Sequence, residues 1–102
     1  MLIDVERMLK QMDGNPMMDT DGSGNAVKAT VRLALVNAAL SPEQKDTGVM
    51  KVQKYELARK IYNAETTVEL EVKEIAMLKQ RVEEVYAPLV CGQLCAILEG
   101  KE

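Results

Sequence analysis

Apolar side chains recur every three to four residues over most of this chain. The densest run is Ala87-Pro88-Leu89-Val90-Cys91-Gly92-Gln93-Leu94-Cys95-Ala96-Ile97-Leu98 near its end. Gln93 is the one strongly polar side chain there, so a helix over this segment is apolar on nearly every face. The rest of the chain, or another subunit, has to wrap it. Pro88 suits the first turn of that helix and Gly100 its end. Residues 71–86 read as an amphipathic helix, with Val72, Ile75, Leu78, Val82 and Val85 in one stripe and Met77 beside it. Glu71, Lys73, Glu74, Lys79, Gln80, Arg81, Glu83 and Glu84 oppose that stripe. A second amphipathic helix is predicted over 49–63. Val52 or Tyr55, Leu57, Ala58, Ile61 and Tyr62 face inward, and Lys51, Lys54, Glu56, Arg59 and Lys60 face solvent. Residues 31–40 form a third, apolar on most faces and interrupted by Arg32 and Asn37, with Thr30 as its N-cap.

The N-terminal third carries turn chemistry instead. Asp13-Gly14 is a two-residue hairpin signal and Asn15-Pro16 enforces an extended path, so a β-hairpin with arms over 7–12 and 15–19 is expected. A polar, glycine-rich loop follows at 19–25. Thr66-Thr67-Val68-Glu69-Leu70 alternates and is β-branched. It is either a short strand added to the hairpin or an extended linker that plugs Val68 and Leu70 into the core. The predicted class is α+β, mainly α, as one domain over 1–102. The hairpin and loop occupy 1–29, and about four helices over 30–102 pack round the apolar C-terminal one.

Composition sharpens this. Hydrophobic residues at 47% and charged residues at 28% mark a globular chain, yet there is no Phe or Trp, and seven Met share the filling of the core. Two nearly all-apolar helices exceed what two amphipathic ones can cover. A homo-oligomer is therefore expected, with a subunit seam drawn from Leu33, Val36, Leu40, Leu94, Ile97 and Leu98. The net charge of −3, with basic and acidic residues mixed, argues against general nucleic-acid binding. The start, Met1-Leu2-Ile3-Asp4-Val5-Glu6, has no apolar leader pattern, and no apolar stretch reaches membrane-spanning length. A cytoplasmic setting with reduced thiols is the expectation.

The absence of His removes the commonest general base, the His-dependent nucleophile arrangements and the commonest metal ligand. The carboxylates sit beside Lys or Arg on helix faces, the pattern of a solvated surface, so no enzymatic activity and no cofactor are predicted. Cys91 and Cys95 lie one helical turn apart and are too few for a zinc site within one chain, so they read as packing residues. Asp19-Thr20-Asp21-Gly22-Ser23-Gly24 resembles the opening of a calcium loop, but the twelfth position is Thr30 rather than a bidentate Glu. The remaining candidate is Tyr55, Arg59 and Tyr62. These offer aromatic faces for stacking and a guanidinium for phosphate, as a small nucleotide would require; the alternative is half-buried packing tyrosines with wet hydroxyls.

Leu57-Ala58-Arg59-Lys60-Ile61-Tyr62-Asn63-Ala64, Val68-Glu69-Leu70 with the helix after it, and Pro88-Leu89-Val90 with Gly92-Gln93 resemble a group of small accessory proteins of tailed bacteriophages and prophages. In that group a Leu/Met-Asp-Gly hairpin precedes an Ala/Leu-rich helix of the type Leu35-Val36-Asn37-Ala38-Ala39-Leu40. The resemblance covers most of the chain, with the 19–25 loop as a departure. It carries no catalytic motif and assigns no residue a role. It implies a phage protein made in the host cytoplasm, such as a counter-defence protein that sequesters a small nucleotide immune signal or occludes a host protein. A virion (tail or head) assembly chaperone or adaptor is the alternative.

Overall fold

Short polar caps divide the chain into its elements. Thr30 Oγ1 accepts from the Leu33 N–H to open α1 (Val31–Leu40), and Thr47 Oγ1 accepts from the Met50 N–H to open α2 (Gly48–Tyr62). The Glu74 carboxylate accepts from the Glu71 N–H at the start of α3 (Val72–Val85). Pro88 begins α4 (Pro88–Leu98), and Gly100, at φ 75°, takes the left-handed conformation that closes it. Four short strands complete the chain: β1 (Leu2–Asp4), β2 (Met18–Thr20), β3 (Ala26–Lys28) and β4 (Thr67–Glu69). The computed structural model describes residues 1–20 and 23–101. They form a compact α+β domain of four helices and two small antiparallel sheets.

The strand pairing departs from expectation. β4 forms, but it pairs with β1 in the register Ile3 opposite Val68, not with a hairpin. The reason is burial: Ile3, Val68 and Leu70 are all core residues, and this register puts Ile3 and Val68 on the same inner side. The predicted arms over 7–12 and 15–19 make no regular ladder. They meet in one isolated bridge, Lys10 to Pro16, beside a tight turn at Gly14. Leu9 also hydrogen-bonds to both Met17 and Ala29. Regular pairing appears one step later, between β2 and β3. Pro16 has no N–H to donate, which limits the ladder on that side.

Val5, Leu9, Val31, Leu35, Ile61, Leu70, Leu78, Val82, Leu94 and Leu98 are fully buried and draw the core from every helix. The extensive helix contacts run α2 to α1, α1 to α3 and α3 to α4, so α1 and α3 are the inner members. The apolar α4 is an outer helix rather than the centre. The N-terminal segment covers part of its flank, and Gln93 makes the join: its side chain accepts from the Lys10 N–H and donates to the Lys10 carbonyl, each at 2.8 Å. Leu94, Ile97 and Leu98 lie in this chain's own core. The α4 half of the predicted seam is therefore already covered within one subunit. On the α1 side Leu33 and Val36 are half-buried, and Leu40 stays 53% exposed.

Three further assignments are reversed. Lys54 and Arg81, read as solvent-facing, are buried, with 6% and 4% exposure, while Val72 and Val85 at the ends of the α3 stripe are exposed. Val52, Tyr55 and Tyr62, read as inward-facing, are also exposed, because α2 turns its Lys54, Leu57, Ala58 and Ile61 side to the core. Lys54 and Arg81 are drawn in by carboxylates of the loop between α1 and α2, whereas a stripe's end residues project past the core. Among the described residues no helix is long and apolar enough to cross a membrane.

Candidate functional site

The α1–α2 pair is locked at both ends by polar groups, buried at one end and part-buried at the other. At one end the loop over 41–47 folds onto Lys54. Its ammonium donates to Glu43 Oε2 and Asp46 Oδ1, each at 2.7 Å. Arg81 reaches across from α3 to Glu43 at 3.1 Å, to Ser41 Oγ at 2.9 Å and to Glu84. Hydrogen bonding from Lys54 is the main cause holding the Glu43 and Asp46 carboxyls below their usual range; burial opposes it. Burial alone would pull the Lys54 ammonium down, but its two carboxylate partners outweigh that and hold it above its ordinary value. At the other end, Arg32 of α1 caps the C-terminus of α2. It donates to the carbonyls of Ile61 (3.2 Å), Tyr62 (2.8 Å), Ala64 and Glu65 (2.7 Å).

Between these two locks runs an open groove of about 440 Å³. Val36 and Leu40 of α1 form one wall, and Tyr55, Ala58, Arg59 and Tyr62 of α2, followed by Asn63, form the other. Tyr55 and Tyr62 are two turns apart on one face of α2 and are 58% and 60% exposed, so each offers a ring surface to whatever enters. Arg59 lies between them, and among the described residues no ion pair engages its guanidinium. The lining is mostly apolar, with Arg59 and Asn63 as its charged and amide groups and no carboxylate or thiol.

The three sequence-nominated ligand residues, Tyr55, Arg59 and Tyr62, thus lie in one groove. The structure adds Ala58 and Asn63, and it brings Val36 and Leu40, nominated for a subunit seam, to the opposite wall. Helical spacing on α2 was enough to group the first set. Nothing in the sequence tied Val36 and Leu40 to them, because that contact depends on how α1 and α2 cross.

The other candidates stay apart from this groove. Cys91 and Cys95 are free thiols with Sγ atoms 3.9 Å apart. Burial, followed by the neighbouring Cys91, raises the Cys95 thiol to about 11, well away from a reactive thiolate. Among the described residues no group of three or more potential metal ligands converges. The calcium-loop reading depends on Asp21 and Gly22, which lie outside the described residues. A second cleft, of about 300 Å³, runs between the segment over 7–12 and α4 and includes Met8 and Met12. Comparison with protein-family models, with characterised proteins and with solved structures finds no match to this chain.

Proposed function

We propose that this is a non-enzymatic binding protein of a bacteriophage, acting in the host cytoplasm as a counter-defence factor that captures a small nucleotide signal in the α1–α2 groove. One observation carries the reading: two exposed tyrosines flank an arginine that has no ion-pair partner among the described residues, inside an apolar groove whose two ends are locked. A base stacked on a tyrosine ring gains about 1–3 kcal/mol in single-strand binders, and a guanidinium pairs with phosphate in a fork. Asn63 supplies an amide for a base edge. The groove offers surfaces and a charge rather than a nucleophile or a general base, which supports retention rather than turnover. The phage setting rests on the resemblance alone, carried by the 57–64, 68–70 and 88–93 segments and the 35–40 helix type.

The test is to incubate the purified protein with cyclic and ADP-ribose-type nucleotides, wash it, and release any bound ligand by heating. Recovery of intact nucleotide supports capture, and recovery of altered nucleotide makes the protein an enzyme. Retention of none of them sinks the reading. Arg59→Ala should abolish retention with an unchanged melting temperature.

A second reading, an adaptor or chaperone for a tail or head protein, draws on a different surface. Met8, Met12 and Met18 are exposed on the N-terminal segments, Met12 by 91%, and flexible thioether side chains suit an adaptable protein contact. Co-purification with a phage structural protein, lost on substitution of Met12 by Ser, would favour it.

A further inference from the structure

α2 carries two stripes of contact-prone side chains, and the chain covers only one of them. Lys54, Leu57, Ala58 and Ile61 face the interior. On another side of the helix Val52, Tyr55, Arg59 and Tyr62 follow spacings of three, four and three, and all four are exposed. That spacing is the a–d–a–d register of a coiled-coil seam. A solvent face with no partner does not need it.

We propose that this stripe is the seam of a homodimer in which α2 packs antiparallel against α2 of a second copy of this chain. Self-complementarity selects the occupant. In an antiparallel pair centred on the stripe, Val52 faces Tyr62 of the second copy and Tyr55 faces its Arg59, and the two-fold axis repeats both contacts. Each Arg59 guanidinium then lies over a tyrosine ring and beside Glu56 of the other copy, so every seam cation meets an aromatic face and an opposite charge. A parallel pair would instead set Arg59 against Arg59, and like charges at a seam are repulsive. Leu40, exposed at the rim of the groove, extends the apolar surface of the same face. The seam is only a few layers deep, so the dimer is a reversible one.

This inference does not rest on the nucleotide reading. Both use Tyr55, Arg59 and Tyr62, so a captured ligand and a second copy compete for the same face, and added ligand would part the pair.

The test is sedimentation equilibrium of the full chain over about 1–200 µM without nucleotide, which covers the micromolar range of weak, reversible pairs. A concentration-dependent dimer is the expected result. Arg59→Glu, which sets Glu against the partner's Glu56, should weaken the dimer at least about tenfold. The double variant Glu56→Arg/Arg59→Glu should restore it. Melting curves followed by circular dichroism, taken at concentrations where the unaltered protein is monomeric, should match between variants, since both side chains are exposed. A monomer throughout the range, or an Arg59→Glu variant that dimerises as tightly as the unaltered protein, would overturn the inference. Nucleotide retention is measured separately by heat release, so either idea can fail while the other stands.

Discussion

Replacing Arg32 by Met keeps the length of the side chain and removes its charge and donors, which isolates what the guanidinium does. Arg32 donates to four carbonyls at the end of α2, of which those of Ile61 and Ala64 are part-buried and those of Tyr62 and Glu65 reach solvent. Water can replace the guanidinium at the exposed pair. At the part-buried pair it does so poorly, and a carbonyl left without a donor costs about 1–3 kcal/mol. Taking about 1–1.5 kcal/mol for each of the two, near the bottom of that range, gives about 2–3 kcal/mol in all, because neither site is fully closed to water. The ion pair to Glu6 adds little: it is 3.9 Å long and Glu6 is largely exposed. For a chain of this size that loss corresponds to a fall in Tm of about 10–20 °C. Urea unfolding followed by far-ultraviolet circular dichroism should show a lower midpoint with an unchanged slope. Arg32→Lys should recover only part of the loss, since an ammonium cannot fork across four acceptors, and Glu6→Ala should be close to neutral. A loss below about 0.5 kcal/mol for Arg32→Met would refute the reasoning, because that is the range of an ordinary surface substitution. Tyr62 and Asn63 ride on the turn that Arg32 holds, so the variant should also weaken whatever binding the groove supports.

Three further outcomes follow from packing and charge. Leu94→Ala removes a fully buried side chain and should cost about 3–4 kcal/mol by urea unfolding, whereas Leu40→Ala in the monomer should stay within about 0.5 kcal/mol. Glu43 and Asp46 have ordinary values of 4.5 and 3.8 that the fold lowers, so their contribution is full above those values and is lost as the pH falls through the lowered ones. The stability gap between the unaltered protein and Lys54→Met should therefore narrow between about pH 5 and pH 2; a gap that widens on acidification would contradict the latch. Cys95, raised to about 11, should react with a disulfide reagent at about pH 8 roughly tenfold more slowly than an unhindered thiol, the smaller thiolate fraction being partly offset by a more nucleophilic thiolate, and a rate near that of free cysteine would contradict its shielding.

The local rules needed only neighbouring residues, and where they sufficed the chain was legible. Thr30 before an apolar run marked the start of α1, Pro88 the start of α4 and Gly100 its end. Four helices and an α+β class followed from period alone, and helical spacing set Tyr55 and Tyr62 two turns apart with Arg59 on a nearby face; that the three share one groove is decided by the fold. Tertiary structure decided what period cannot encode. A charged residue reads as solvent-facing until something opposite claims it. Lys54 and Arg81 are claimed by the 41–47 loop and Arg32 by the open end of a neighbouring helix, through partners 8 to 40 residues away in sequence. Strand pairing was equally out of reach, because β4 chose β1 across more than sixty residues for the sake of a buried Ile3–Val68 pair. The same holds for α4. Its composition demanded cover, but only the fold shows that this chain supplies the cover for Leu94, Ile97 and Leu98, while Leu40 of α1 and Val52, Tyr55 and Tyr62 of α2 stay exposed.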